Sequence, residues 1–232
     1  MHNEYPDQGR SVVIEKVREL QKSGDVMSHR VRWNPLSWKT SDLAMFEPQI
    51  SKFTVGCRQE NAEYVISRQD VLTLSESVED VFIGAMIFGY GLIGYGPSRI
   101  ERVIKKNPGL LEKLKGQYDS AANGPAESWE SHTQNDRVKY LGPAFATKFA
   151  YFSARKQQCN RIIPLIADIN TSWAMWWLAE LPRSVERGDS YVKYVELAHA
   201  WAAEVGGNCR ADEIERAIFS IGQNMSKKKQ IR

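Results

Sequence analysis

Apolar residues in this chain recur mostly at helical spacing and seldom alternate. Val12, Val13, Val17 and Leu20 share one face of a first helix, which Ser23-Gly24 ends. Val78, Val81, Phe82, Ala85 and Met86 follow the i, i+3, i+4, i+7, i+8 pattern, and Ser75 or Ser77 can cap the helix they define. The glycine-rich stretch Gly89 to Pro97 breaks it. Ser98 to Lys106 and Pro108 to Tyr118 read as two short helices split at Asn107-Pro108. Further helices are predicted from about Phe145 to Lys156, Thr171 to Leu181, Tyr191 to Val205 and Asp212 to Ile221. Gly206-Gly207 supplies a C-terminal stop.

Other segments are less regular. Trp33-Asn34-Pro35 reads as a turn, and Ser41-Asp42 opens a short helix that ends before Pro48. The stretch from about Val55 to Leu74 fits no single period, although Tyr64-Val65-Ile66 can form a short strand. Ser120 to Gly124 looks like a small linker, Glu127 to Asp136 a polar, peripheral segment, and Lys227 to Arg232 a charged, frayed end. No internal repeat is visible. The expected architecture is mainly α: one helical domain over residues 1–232, with two helical lobes, roughly 1–120 and 121–232, and a cleft between them.

Composition narrows the class without fixing it. Hydrophobic residues at 42% and charged residues at 25% are ordinary globular values. A net charge of +3 permits a nucleic-acid partner without requiring one. The three cysteines, Cys57, Cys159 and Cys209, lack Cys-x-x-Cys spacing, and the histidines are scattered, so no metal site is expected. The polar start and the glycine-broken apolar stretch from Val81 to Gly96 predict a soluble, cytoplasmic protein with no membrane span.

Two residues carry candidate chemistry. Lys148 follows a short turn, Tyr140-Leu141-Gly142-Pro143, that opens an apolar helix; Asp168 follows Ile162 to Ala167, just before another helix. A carboxylate near an anomeric carbon stabilises the positive charge that builds when an N-glycosidic bond breaks. An amine can attack the same carbon and form a Schiff base. It must first be neutral, and a first-turn position on the helix favours that through the dipole. Backbone N–H groups at the start of that helix can hold phosphate, and Lys139 and Arg155 flank it. Asp168 can equally be a plain helix cap, and Lys148 an exposed helical lysine.

These segments resemble the helix-hairpin-helix DNA glycosylases, specifically the 8-oxoguanine glycosylase branch. That branch has a Pro-Gly-Val-Gly-Thr-Lys hairpin, an apolar helix, and a Val-Asp before the next helix. Within residues 139–170, Pro143, Thr147 and Lys148 match its Pro, Thr and catalytic Lys, and Phe145 stands for its Val. Asp168 matches its catalytic Asp, one residue later than usual. Ala144 and Ala146 stand where the hairpin has glycines, which allow positive φ and close phosphate approach. The branch's N-terminal β-domain is expected to be missing or reduced.

The whole chain is more similar to a small bacterial group with that fold, through Gly89 to Pro97, Tyr140 to Pro143 and Asp212 to Phe219. One member removes glucosylated hydroxymethylcytosine from phage DNA. The resemblance implies a monomeric DNA glycosylase that flips a modified base out of double-stranded DNA and needs no cofactor. Lys148 and Asp168 would be catalytic. Pro143, Ala144, Ala146, Thr147, Lys139 and Arg155 would contact DNA, and Tyr90, Tyr95, Phe145 and Trp173 would supply a base or sugar pocket. Trp173, Trp176 and Trp177 share a helical face that reads as core packing, although one of them could still wall the base pocket. The alternatives are repair of 8-oxoguanine with lyase activity, a non-catalytic DNA-binding module, which the hairpin alanines favour, and a helical interaction protein.

Overall fold

A helix that is apolar on every side belongs in the middle of its unit. That is the place of α5 (Val78–Tyr90), where every residue from Asp80 to Phe88 is buried. The helical spacing marked one face; Ile83, Gly84, Ile87 and Phe88 fill the others. Ser77 caps it in a reciprocal box with Asp80. The buried Asp80 carboxylate also takes Lys52 Nζ at 2.7 Å.

The computed structural model describes residues 7–60, 63–159, 162–182 and 187–230; His2 falls outside them. Among the described residues the chain is mainly helical, and it divides into two units. One is Met27–Ile163. In it α5 packs against α3 (Glu47–Gly56), α4 (Arg68–Leu74), α6 (Gly96–Lys106), α7 (Leu110–Ala121) and α9 (Pro143–Lys156). A small antiparallel sheet of order β1-β3-β2 joins them: β1 (Arg30–Trp33), β2 (Arg58–Glu60) and β3 (Glu63–Ser67). Trp33 pairs with Tyr64 and Arg30 with Ser67. The Tyr64-Ile66 strand is thus present, and Trp33 ends a strand before Asn34 caps the short α2 (Pro35–Trp38).

Two expectations change here. The short helix expected from Ser41 to Phe46 is present as a 3₁₀ helix, but Pro48 is not its stop: it sits in the first turn of α3, where a missing N–H costs nothing. Glu127 to Asp136 is not peripheral either. It forms α8 (Pro125–Glu130) and a π-helical turn over Ser131–Asn135, and buries Ser128, Ser131 and His132. Its polar groups are used internally: Ser131 Oγ donates to Asp136 Oδ2 at 2.7 Å, and Gln117 Nε2 to the Asp136 carbonyl at 2.8 Å.

The second unit is Met1–Val26 with Pro164–Arg232, so the hairpin segment 139–170 runs from one unit into the other, and the lobe boundary expected near residue 120 falls inside the first. Its described helices are α1 (Asp7–Gln21), α10 (Ile169–Ala179), α11 (Gly188–Val205) and α12 (Ala211–Gln230), and α12 packs against the other three. Gly222 lets α12 lie on α10, since a Cβ there would come within 2.0 Å of the Asn170 carbonyl oxygen. The helix runs well beyond the expected end at Ile221.

Candidate active site

In the Met27–Ile163 unit, the turn before α9 is held by a residue that sequence reasoning missed. Asn107, 3% exposed, accepts from the Lys139 N–H at 2.8 Å and donates to the Lys139 and Val103 carbonyls at 2.9 and 2.7 Å. Val138 and Leu141 are buried on either side. Between them Tyr140 is exposed and left-handed, with φ 70°. No side chain caps α9; the Phe145 and Ala146 N–H groups close on the Gly142 carbonyl at 2.9 and 3.0 Å.

Helix α9 starts at Pro143, so Lys148 lies in its second turn and not its first. Helical side chains lean back toward the N-terminus, and Lys148 Nζ accordingly donates to the Ala144 carbonyl at 3.1 Å. It lies 5.3 Å from the centre of the Phe145 ring. Phe145 stacks on Tyr90 at 3.9 Å and 19°, and Tyr95 meets Tyr90 edge-on at 6.1 Å. Gly89 makes room for this: a Cβ there would lie 2.8 Å from Phe145 Cε1 and 2.9 Å from Lys148 Cδ. The unit therefore brings Lys148, Phe145, Tyr90 and Tyr95 together. Tyr90 is buried, which pushes its phenol up to about 12 against the pull of Arg99, while Tyr95 is 55% exposed.

The other expected hairpin residues divide. Lys139 is exposed, and Pro143 and Ala144 are half-buried, but Ala146 and Thr147 face the core. Arg155 is in the last turn of α9, roughly 18 Å from Pro143 at 1.5 Å per residue, with Nη2 3.8 Å from Met27 Sδ. It does not flank the turn. Neither Ala144 nor Ala146 has positive φ. Both are ordinary helical residues, so the alanines are no obstacle to this backbone.

In the other unit, Asp168 is the N-cap of α10. Its Oδ1 accepts from the Asn170 and Thr171 N–H groups at 2.9 and 3.1 Å, and Thr171 Oγ1 accepts from the Asp168 N–H at 2.6 Å. Oδ2 has no hydrogen-bond partner among the described residues. The extended segment leading in is fixed by two tyrosines of α11 that sequence reasoning also missed. Tyr191 and Tyr194 donate to the Leu165 and Ile166 carbonyls at 3.0 and 2.9 Å. A helix with buried tyrosines gave no signal for this, because the acceptors are backbone.

The tryptophans after Asp168 do not pack the core together. The buried side of α10 is Thr171, Ser172, Ala174, Met175, Leu178 and Ala179. Trp173 is half-buried, while Trp176 and Trp177 are 42% and 52% exposed.

Among the described residues no group of His, Cys, Asp or Glu could hold a metal ion, and no helix is long and apolar enough to cross a membrane. Among the described residues the chain is mainly helical with a small sheet, Lys148 lies on a helix that no side chain caps, and Asp168 caps another. Residues 24–219 match the family model described as "Putative 8-oxoguanine DNA glycosylase OGG-like protein". The chain belongs to that family, whose description points to a DNA glycosylase-type function with DNA as the partner. No curated protein and no solved structure matches the chain.

Proposed function

We propose that the protein excises a modified base from double-stranded DNA, with Asp168 and Lys148 as its catalytic residues. The observation that carries this is the family match, which spans both residues. The target nucleotide flips out of the stack. As the C1′–N bond breaks, its electron pair leaves with the base, and the Asp168 carboxylate stabilises the sugar cation. Oδ2, which no described residue engages, is the oxygen available for this while Oδ1 holds the helix. Water then closes the reaction to an abasic site, or neutral Lys148 bonds to C1′ and the ring opens to a Schiff base, the entry to strand cleavage. The protein works as a cytoplasmic monomer, without metal or cofactor.

For the substrate we favour glucosylated hydroxymethylcytosine in phage DNA, a defence role. Exposed rings such as Tyr95 suit the faces of a sugar, and resemblance to the anti-phage group supports the choice. The second reading, excision of 8-oxoguanine, is favoured by the family's own description. Mass spectrometry of bases freed from glucosylated phage DNA, an 8-oxoguanine duplex and unmodified DNA separates them. Release of the glucosylated cytosine alone supports defence, and release of 8-oxoguanine alone moves the protein to repair. Salt-dependent binding with no release from any DNA leaves a binding module.

A further inference from the structure

Helix α6 carries a row of cations that pair with no acid among the described residues. Arg99, Arg102 and Lys106 lie at i, i+3 and i+7 and are exposed, while Ile100 and Val103 face the core. Lys139, clamped by Asn107, is exposed beside the same end of the helix. None of these four forms an ion pair among the described residues. Their neighbours behave differently: Lys105 pairs with Asp42, and Glu101 accepts from Thr40 Oγ1 at 2.8 Å. Like charges at this spacing repel, and Arg99 sits near the positive end of the helix dipole. The Arg99–Arg102 part of the row therefore costs stability unless a negative partner arrives, while Lys106 lies in the last turn, where the dipole favours it.

Two aromatic rings hold the guanidinium groups in place. Arg99 lies 5.4 Å from the Tyr95 ring centre and Arg102 3.9 Å from that of Tyr140. Tyr140 adopts φ 70°, a conformation disfavoured for a non-glycine residue, and the Asn107 clamp on Lys139 keeps the turn there. Its phenol is drawn below the ordinary range by the hydrogen bond with Arg102, then by the charges of Arg102, Lys106 and Lys139. Along α6 the row spans roughly 10 Å at 1.5 Å per residue. A row of that length matches a short stretch of one strand, whose phosphates rise about 3.4 Å each along the duplex axis. The rings Tyr95, Tyr90 and Phe145 connect this row to Lys148.

We propose that Arg99, Arg102, Lys106 and Lys139 form a track for the phosphates of one DNA strand beside Lys148, with Tyr95 and Tyr140 positioning the arginines. This rests on the DNA-acting reading above and extends the contact surface from Lys139, at the start of the hairpin segment, along α6. The test is fluorescence anisotropy of the full chain on a short labelled unmodified duplex over a range of salt. Each lost phosphate contact lowers the slope of log affinity against log salt by about 0.9. Arg102→Ala with Lys106→Ala should flatten it by about two, whereas Lys115→Ala, whose amine pairs with Asp119 at 2.7 Å, should leave it unchanged.

An unchanged slope in the double variant, with wild type still binding DNA, overturns the track alone. Absence of any salt-dependent affinity in wild type overturns both the track and the DNA reading. A flattened slope in a protein that frees no base upholds the track while the excision reading fails. Equal or tighter binding of polyglutamate, lost in the same variant, assigns the row to an acidic protein partner and overturns the proposal.

Discussion

The starts of α9 and α10 solve the same physical problem in opposite ways. Each helix leaves N–H groups to be satisfied at its beginning. At α10 the Asp168 side chain does so with a full capping box, approached by a segment that Tyr191 and Tyr194 hold through its carbonyls. At α9 no side chain caps, Pro143 brings no N–H, and the approach depends on Asn107 and the polar turn around His132. The difference teaches where chemistry and stability overlap. Asp168 holds the cap and, on the proposed reading, also the chemistry, so changing it would disturb both unless the cap survives; Lys148 would carry chemistry alone, since its helix start rests on other residues.

The largest expected effect comes from separating those two roles. Asn caps a helix about as well as Asp, so Asp168→Asn should unfold at the same temperature as wild type. Its base release should fall by about 10²–10³, the usual cost of removing one group that stabilises developing charge. Asp168→Ala should lose the activity and also about 1 kcal/mol of stability, measurable by urea denaturation. If both variants are equally unstable, the cap and the chemistry are not separable.

The approach to α9 is the place to break the other start. Burial, with the Arg137 charge adding to it, lowers His132 to about 4 from 6.5. The unfolded chain therefore binds a proton between those values that the folded protein refuses. The stabilisation is complete above pH 6.5 and is lost as pH falls toward 4, by about 3 kcal/mol at most. Denaturation between pH 7 and 4.5 should show this drop, and His132→Phe should flatten it.

Gly89→Ala sharpens the comparison next. The added methyl would push on Phe145 and Lys148, at a cost of about 1–3 kcal/mol. Base release should fall while the α10 cap is untouched, which rates measured beside a melting curve would show. The smallest effect belongs to the exposed end of α10. Trp176→Ala and Trp177→Ala should each change stability by no more than about 0.5 kcal/mol in a denaturant titration; a larger loss would mean these rings are packed after all.

Much of this was legible in the chain. Helical spacing found the helices that begin near Val78, Ser98, Phe145 and Tyr191, because a buried face repeats every three to four residues. Asp168 was readable as a cap from its position before Thr171, since capping is local. What escaped depends on partners distant in sequence. Asn107 grips Lys139 across the α6 end, and two tyrosines reach backbone carbonyls. The tryptophan face was misassigned because small residues, Ala174 and Ala179 among them, bury the other side of α10. The strand ending at Trp33 needs its pairing with Tyr64 to be seen.

The most direct test of the central claim is mass spectrometry of bases released by wild type and Asp168→Asn from the same modified DNA, with both proteins shown to melt together. A modified base freed by wild type and nearly absent with the variant is the predicted result. Equal release by the two proteins would contradict the account, because the carboxylate would then be a helix cap and nothing more.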